Sequence, residues 1–191
     1  MKLTMLGTGN ALVTECYNTC FILEDNGQLF MVDGGGGNTV LRQIKHAGYN
    51  WMDIRHLFVT HKHIDHLLGM IWMVRMICQF MVHGEYRGEA YIYSHKEVLD
   101  LIRDLAGKLL LAKESAMIDK RLHLVEVHDG ESMHIIAHEV TFFDKRVLLS
   151  HENKVSQITS GMMIRPLPPQ YFTVSSMIFC AVSITYSSLT A

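Results

Sequence analysis

Val59-Thr60-His61-Lys62-His63-Ile64-Asp65-His66-Leu67-Leu68-Gly69 puts three histidines and an aspartate within six positions, directly after an apolar run. His61 and His63 stand two apart, so in an extended segment their rings project to the same side and could hold one metal ion. Asp65 and His66 follow where the chain turns into a helix, and adjacent residues there point differently enough to serve a second ion. Neutral imidazoles with a carboxylate suit Zn²⁺, with Mn or Fe as alternatives. Such a site lowers the pKa of a bound water and polarises a phosphoryl or carbonyl oxygen, so the reaction class indicated is hydrolysis. The competing reading, a solvated polar loop, gives no reason for this spacing between a strand and a helix start.

On the amino-terminal side, short apolar runs bounded by turn residues predict strands over 2–6, 19–23, 29–32 and 56–60, with a short helix over 38–47 ending at Gly48. The four glycines 34–37 lack the Gly-Lys-Ser/Thr of a P-loop and read as a turn that brings the backbone close beneath the histidines. On the other side, residues 66–82 form an apolar, methionine-rich stretch that reads as a buried helix. Ser94 and Glu97 resemble a capping box before a second helix, with Val98, Leu99, Ile102, Leu105 and Leu109 on one face. Strands are expected at 91–93, 122–127, 134–136 and 139–143. Hairpins alternating with helices predict an α/β sandwich.

A chain of 191 residues, 49% hydrophobic and 19% charged, is long enough for one sizeable domain. Its net charge of −2 gives no overall basic bias toward nucleic acid, so any such contact needs a local patch. Cysteines 16, 20, 78 and 180 form no CxxC pair, and the chain opens Met-Lys-Leu-Thr without an apolar signal core, so a reducing cytoplasm is expected.

Thr60-His61-Lys62-His63-Ile64-Asp65-His66-Leu67-Leu68-Gly69 resembles the signature of the metallo-β-lactamase-fold hydrolases, in the THxHxDHxxG form of the ribonuclease Z and phosphodiesterase branch. Leu6-Gly7-Thr8-Gly9 resembles the opening turn of that branch, and Phe30-Met31-Val32-Asp33-Gly34-Gly35 the family's strand ending in Asp-x-Gly. The resemblance covers roughly residues 1–144. It implies an αββα sandwich with two zinc ions at one edge of the sheets: His61 and His63 on the first, Asp65 and His66 on the second. Asp33 would orient a ligand from outside, and Asp65 would also take part in proton transfer. The substrate implied is a small-molecule or RNA phosphodiester, with no membrane involved, and homodimers are common in the family.

The family completes its site with a histidine after a strand, a bridging aspartate and a last histidine. After Val140-Thr141-Phe142-Phe143-Asp144 this chain reads Lys145-Arg146-Val147, with no histidine there. His151 is the nearest substitute, and His134 and His138 precede the expected place. Residues 145–191 form an atypical tail, which from Pro166 onward has neither charge nor helical or strand period. Residues 171–191 have the length of a bilayer span, but their many Ser and Thr and lack of basic anchors argue against one.

A change of reading frame near Asp144 accounts for both features. Methionine has one codon, so the offset frame across Gly161-Met162-Met163-Ile164 can spell Gly followed by acidic residues. The same offset permits Thr-Gly-Phe across 145–148 and Glu-Gln-Gly across 152–155, strings that resemble the family's continuation. On that reading the second half of the sandwich is incomplete. A truncated, inactive metal-binding remnant is then the alternative to a working hydrolase.

Overall fold

The computed structural model describes residues 1–146, 158–165 and 172–174. A six-stranded sheet in the order β1 (Lys2–Gly7), β2 (Cys20–Asp25), β3 (Gln28–Val32), β4 (Ile54–Phe58), β5 (Ala90–Ser94), β6 (Leu122–Glu126) forms the centre. The first three strands are antiparallel neighbours, and β3 to β6 are parallel. Helices α1 (Thr39–His46), α2 (Ile64–Val82), α3 (Lys96–Leu109) and α4 (Ala112–Ser115) lie in the connections.

Alternation along each strand divides the sheet's two faces. Ile22, Met31, Leu57 and Ile92 pack with Val40, Met70, Val74, Ile77 and Ile102 from the helices. Their neighbours in sequence, Phe21, Phe30, Phe58 and Tyr93, face the other way and meet Ile135, Val140 and Phe142 of the second sheet. One irregularity serves this division: Leu29 pairs with Ile54 but Phe30 with His56, so Arg55 is an extra residue in β4. Ile54 and Leu57 can thereby both join the helix-side core.

The second sheet has the order β10 (Phe172–Val174), β9 (Ile158–Arg165), β8 (His138–Arg146), β7 (Ser132–Ile135), all antiparallel. Two of its strands come from the stretch read as an atypical tail: β9 pairs along β8, from Glu139↔Arg165 to Arg146↔Ile158, and β10 pairs in turn with β9, from Phe172↔Ile164 to Val174↔Met162. Among the described residues, helices cover the first sheet only. His151 and most of the 171–191 segment lie outside the described residues.

Several boundaries differ from expectation. β4 begins at Ile54, after a single 3₁₀ turn over Trp51–Asp53, and ends at Phe58, which leaves Val59 and Thr60 beyond the strand. Helix α2 starts at Ile64, so Asp65 and His66 stand in its first turn. The capping box at Ser94 and Glu97 does not form. His95 is the N-cap without a side-chain cap bond, Ser94 Oγ donates to the Val59 carbonyl at 2.7 Å, and Glu97 pairs with Lys62. Leu109, expected on the core face of α3, is 66% exposed at the helix end, while Ala106 is buried.

Candidate metal centre

Asp33, Thr60, His61, His63, Asp65 and His66 stand where β3 and β4 end and α2 begins, at the carboxyl edge of the parallel strands where α/β sheets place their ligands. Asp33 follows β3 directly. It is buried, and its positive φ of 57° is unusual for a residue with a side chain. Its Oδ1 accepts the Thr60 amide at 2.8 Å, and its Oδ2 accepts the Thr60 hydroxyl and faces His66 Nδ1, each also at 2.8 Å. Three bonds to one carboxylate account for a strained backbone persisting there.

Proton counting then sets the tautomer of His61. The single hydroxyl hydrogen of Thr60 goes to Asp33, so the 2.9 Å contact between Thr60 Oγ1 and His61 Nδ1 is a bond only if the imidazole donates. That leaves the lone pair on Nε2, the nitrogen a cation would use. Burial, followed by the neighbouring His66 charge, pushes the His61 pKa down to about 4, so the ring is neutral at ordinary pH.

His66 is held differently. Its Nδ1 faces Asp33, and its Nε2 lies 3.3 Å from Asp65 Oδ2. Burial alone would lower its pKa, but the charge and hydrogen bond of Asp33, then those of Asp65, outweigh it and raise the value to about 10. Asp65 is held below the usual carboxylate range, chiefly by that bond from His66. Two carboxylates thus share one imidazolium.

The structure brings all four sequence-predicted residues together: the His61 ring centroid lies 4.6 Å from that of His63 and 4.1 Å from that of His66, with Asp65 against His66. Their donors nevertheless face each other. Among the described residues, no three His, Cys, Asp or Glu donors are grouped so as to hold an ion. The residue types and their closeness fit a divalent cation, provided the His66 proton now shared with Asp65 is released, as proton release accompanies metal binding generally. His134 is exposed on β7, and His138 Nε2 lies 3.2 Å from Asp25 Oδ2 at the far end of β3, so neither joins the cluster.

The glycine turn makes the close approach expected of it. Gly34 donates to the His66 carbonyl and Gly69 to that of Gly35, each at 2.8 Å, and a Cβ on Gly69 would fall 1.7 Å from the Gly34 oxygen. Only two glycines let this loop lie against the first turns of α2. Three contributors had no clear sign in the sequence: Ser94 and the Lys62–Glu97 pair, which bond across 35 residues to the segment bearing the histidines, and Tyr17, whose hydroxyl reaches the glycine loop.

Comparison with known proteins agrees with this fold. A Ribonuclease Z of Methanothermobacter thermautotrophicus is 37% identical over 76 residues, covering 39% of this chain and 24% of that enzyme. One from Methanococcus maripaludis is 36% identical over 108 residues, 56% of this chain and 33% of the enzyme. The chain therefore spans a third or less of the length of these curated relatives. Among solved structures, the metallo-β-lactamase fold protein YhfI of Bacillus subtilis superposes with a TM-score of 0.60 at 15% identity, over 85% of this chain and 57% of that one. The short form of human tRNase Z gives 0.57 at 16% identity, over 86% and 63%. The fold is that of the metallo-β-lactamases, and the curated relatives are ribonuclease Z-like hydrolases. The sequence profile described as Anti-Pycsar protein Apyc1 matches residues 1–187, running past Asp144 into the stretch that reads as atypical, and by that match the chain belongs to the Apyc1 family.

Proposed function

We propose that this chain is a metal-dependent hydrolase of phosphodiesters, with His61 and His63 as ligands of one zinc ion and Asp65 and His66 as ligands of a second. The observation that carries the reading is the chain of bonds from Asp33 through Thr60 to His61, which leaves His61 Nε2 unprotonated beside the rings of His63 and His66. When bound, such ions supply a water of lowered pKa and a Lewis acid for the phosphoryl oxygen.

The protein's own groups do the rest. Asp33 and Thr60 hold His61 and His66 in place through their Nδ1 atoms. Asp65, ionised at neutral pH, can accept a proton at Oδ2 and has His66 beside it to receive charge. The amino end of the 19-residue helix α2 lies at the cluster and favours an anionic group there, which supports a phosphodiester over a neutral lactam. Ribonuclease Z among the relatives supports RNA or a smaller phosphodiester as the substrate class. The free thiols of Cys16, Cys20 and Cys78 accord with a cytoplasmic location.

A second reading, the metal-binding remnant, draws on the mutual engagement of the donors and the separation of His134 and His138 from them. Metal analysis of the purified full chain, combined with assays on bis(p-nitrophenyl) phosphate and a chromogenic lactam, separates the two. Two equivalents of metal with phosphodiester turnover are expected. One weak equivalent without turnover supports the remnant, and preference for the lactam overturns the substrate class.

A further inference from the structure

We propose that Tyr17 is a positioning residue for the metal centre, its hydroxyl clamping both ends of the Gly34–Gly37 loop and thereby setting where Asp33 and His66 stand. The inference rests on reading the cluster as a metal centre. Tyr17 precedes β2 and belongs to neither strand nor helix, yet its backbone is held: its carbonyl accepts the Gly9 amide at 2.8 Å, at the end of β1. From that anchor the side chain crosses to the loop after β3. The hydroxyl lies 2.8 Å from the Gly34 carbonyl and 2.7 Å from that of Gly37, and it accepts the Gly37 amide at 3.2 Å.

One phenol has one hydrogen to give and lone pairs to receive, so the donor is shared by the two carbonyls while the oxygen takes the amide. The ring itself covers Gly35, whose φ is +69° and where an added Cβ would fall 2.3 Å from a ring carbon. The loop is thus held at both ends by the hydroxyl and in the middle by the ring.

What the loop carries makes the clamp more than local. Gly34 is bonded to Asp33 in sequence and donates to the His66 carbonyl, while the Gly35 carbonyl takes the Gly69 amide one turn further along α2. Asp33 Oδ2 then meets His66 Nδ1 at 2.8 Å. Asp33 and His66 are therefore fixed relative to one another by the backbone that Tyr17 holds. Loosening that backbone lets the carboxylate and imidazole drift, and groups that orient a ligand from outside are each worth roughly 10–100-fold in metal affinity.

The test compares Tyr17→Phe, which keeps the ring over Gly35, with Tyr49→Phe. Tyr49, in the connection after α1, is the control: its hydroxyl bonds Glu24 of β2 at 2.8 Å and Thr4 of β1 at 3.0 Å without touching the loop. Two quantities are read on each full-length protein: the slowly exchanging His66 Nδ1 proton by nitrogen-15 NMR of the metal-free form, and Zn²⁺ affinity by competition with a chelating dye. Tyr17→Phe is expected to broaden or shift the His66 proton and weaken Zn²⁺ binding about 10-fold, while Tyr49→Phe changes neither. An unmoved His66 signal in Tyr17→Phe overturns the proposal, as does an equal effect in Tyr49→Phe. A Tyr17→Phe chain that does not fold also overturns it, since the hydroxyl would then support the whole fold rather than place two side chains. If the wild type binds no Zn²⁺, the metal-centre reading fails by itself and the His66 signal alone decides the role of Tyr17.

Discussion

At the carboxyl ends of β3 and β4, Asp33, Thr60, His61, Asp65 and His66 bond to one another. At the amino ends of β4 to β6, a second polar group spends its bonds on main-chain carbonyls instead. Tyr86, buried, donates to the Ile54 carbonyl at 2.8 Å, and Arg121 Nη2 donates to those of Tyr86 and Gly88 at 2.8 and 2.7 Å. Arg55 lies 4.2 Å over the Tyr86 ring, and Trp51 stacks on the same ring and meets Phe80 edge-on. The amino-end group ties the turn after α2 to the sheet. The carboxyl-end group leaves a neutral imidazole with an uncommitted nitrogen and a carboxylate held ionised, which is what chemistry requires and structure alone does not.

The contrast breaks most sharply at His63. Its side chain makes no capping bond although it occupies the N-cap of α2, so His63→Ala removes a donor without exposing an orphaned helix end. Hydrolysis is expected to fall by more than the roughly 100-fold that loss of an outer orienting group costs, with thermal unfolding nearly unchanged. A variant that keeps its activity on bis(p-nitrophenyl) phosphate would remove His63 from the centre.

The opposite outcome is expected at the amino end. Arg121→Ala deletes two short charge-assisted bonds to carbonyls, each worth about 1.5–3 kcal/mol when buried. The side chain is 30% exposed, so water replaces part of the loss. A net destabilisation of about 2 kcal/mol, or roughly 4–8 °C in Tm for a chain of this size, should leave turnover per folded molecule intact. Measured by calorimetry and a phosphodiester assay, a loss of activity exceeding the loss of folded protein would erase the distinction between the two ends.

The sequence exposes the two ends unequally. His61, His63, Asp65 and His66 are legible because their spacing is local: one strand end and one helix turn bring them together. Asp33 is legible through the resemblance of its strand to the family's Asp-x-Gly, and the glycines because four in a row without a following Gly-Lys-Ser/Thr read as a turn of close backbone approach. Ser94 and Glu97 mislead, since their local pattern suits a helix cap while their actual partners, Val59 and Lys62, lie 35 residues away in the chain. Tyr17 and Arg121 look like an ordinary turn aromatic and a surface cation; their roles depend on carbonyls that only the folded backbone gathers. Strands β9 and β10 escape for a related reason, as register, of β9 with β8 and of β10 with β9, and not alternation defines them.

The smallest effect comes from buried acids between the two ends, and its sign follows from where they sit. Burial pushes the Cys78 thiol from its ordinary 9 up to about 12, and the phenols of Tyr17 and Tyr93 from 10 up to about 12; the Cys20 thiol also moves upward, again chiefly through burial. The unfolded chain ionises these groups at their ordinary values. Because the folded values are the higher ones, their contribution to stability is fully present below about pH 9 and is lost as pH climbs toward 12. Urea midpoints should therefore be flat from pH 7.5 to 8.5 and decline above 9. Arg121 keeps its charge throughout this window, so the deficit of Arg121→Ala should stay constant while both curves fall in parallel. Curves that converge as pH rises would mean that the amino-end latch loosens together with the buried acids, and the two ends of the strands would then belong to one cooperative network instead of two.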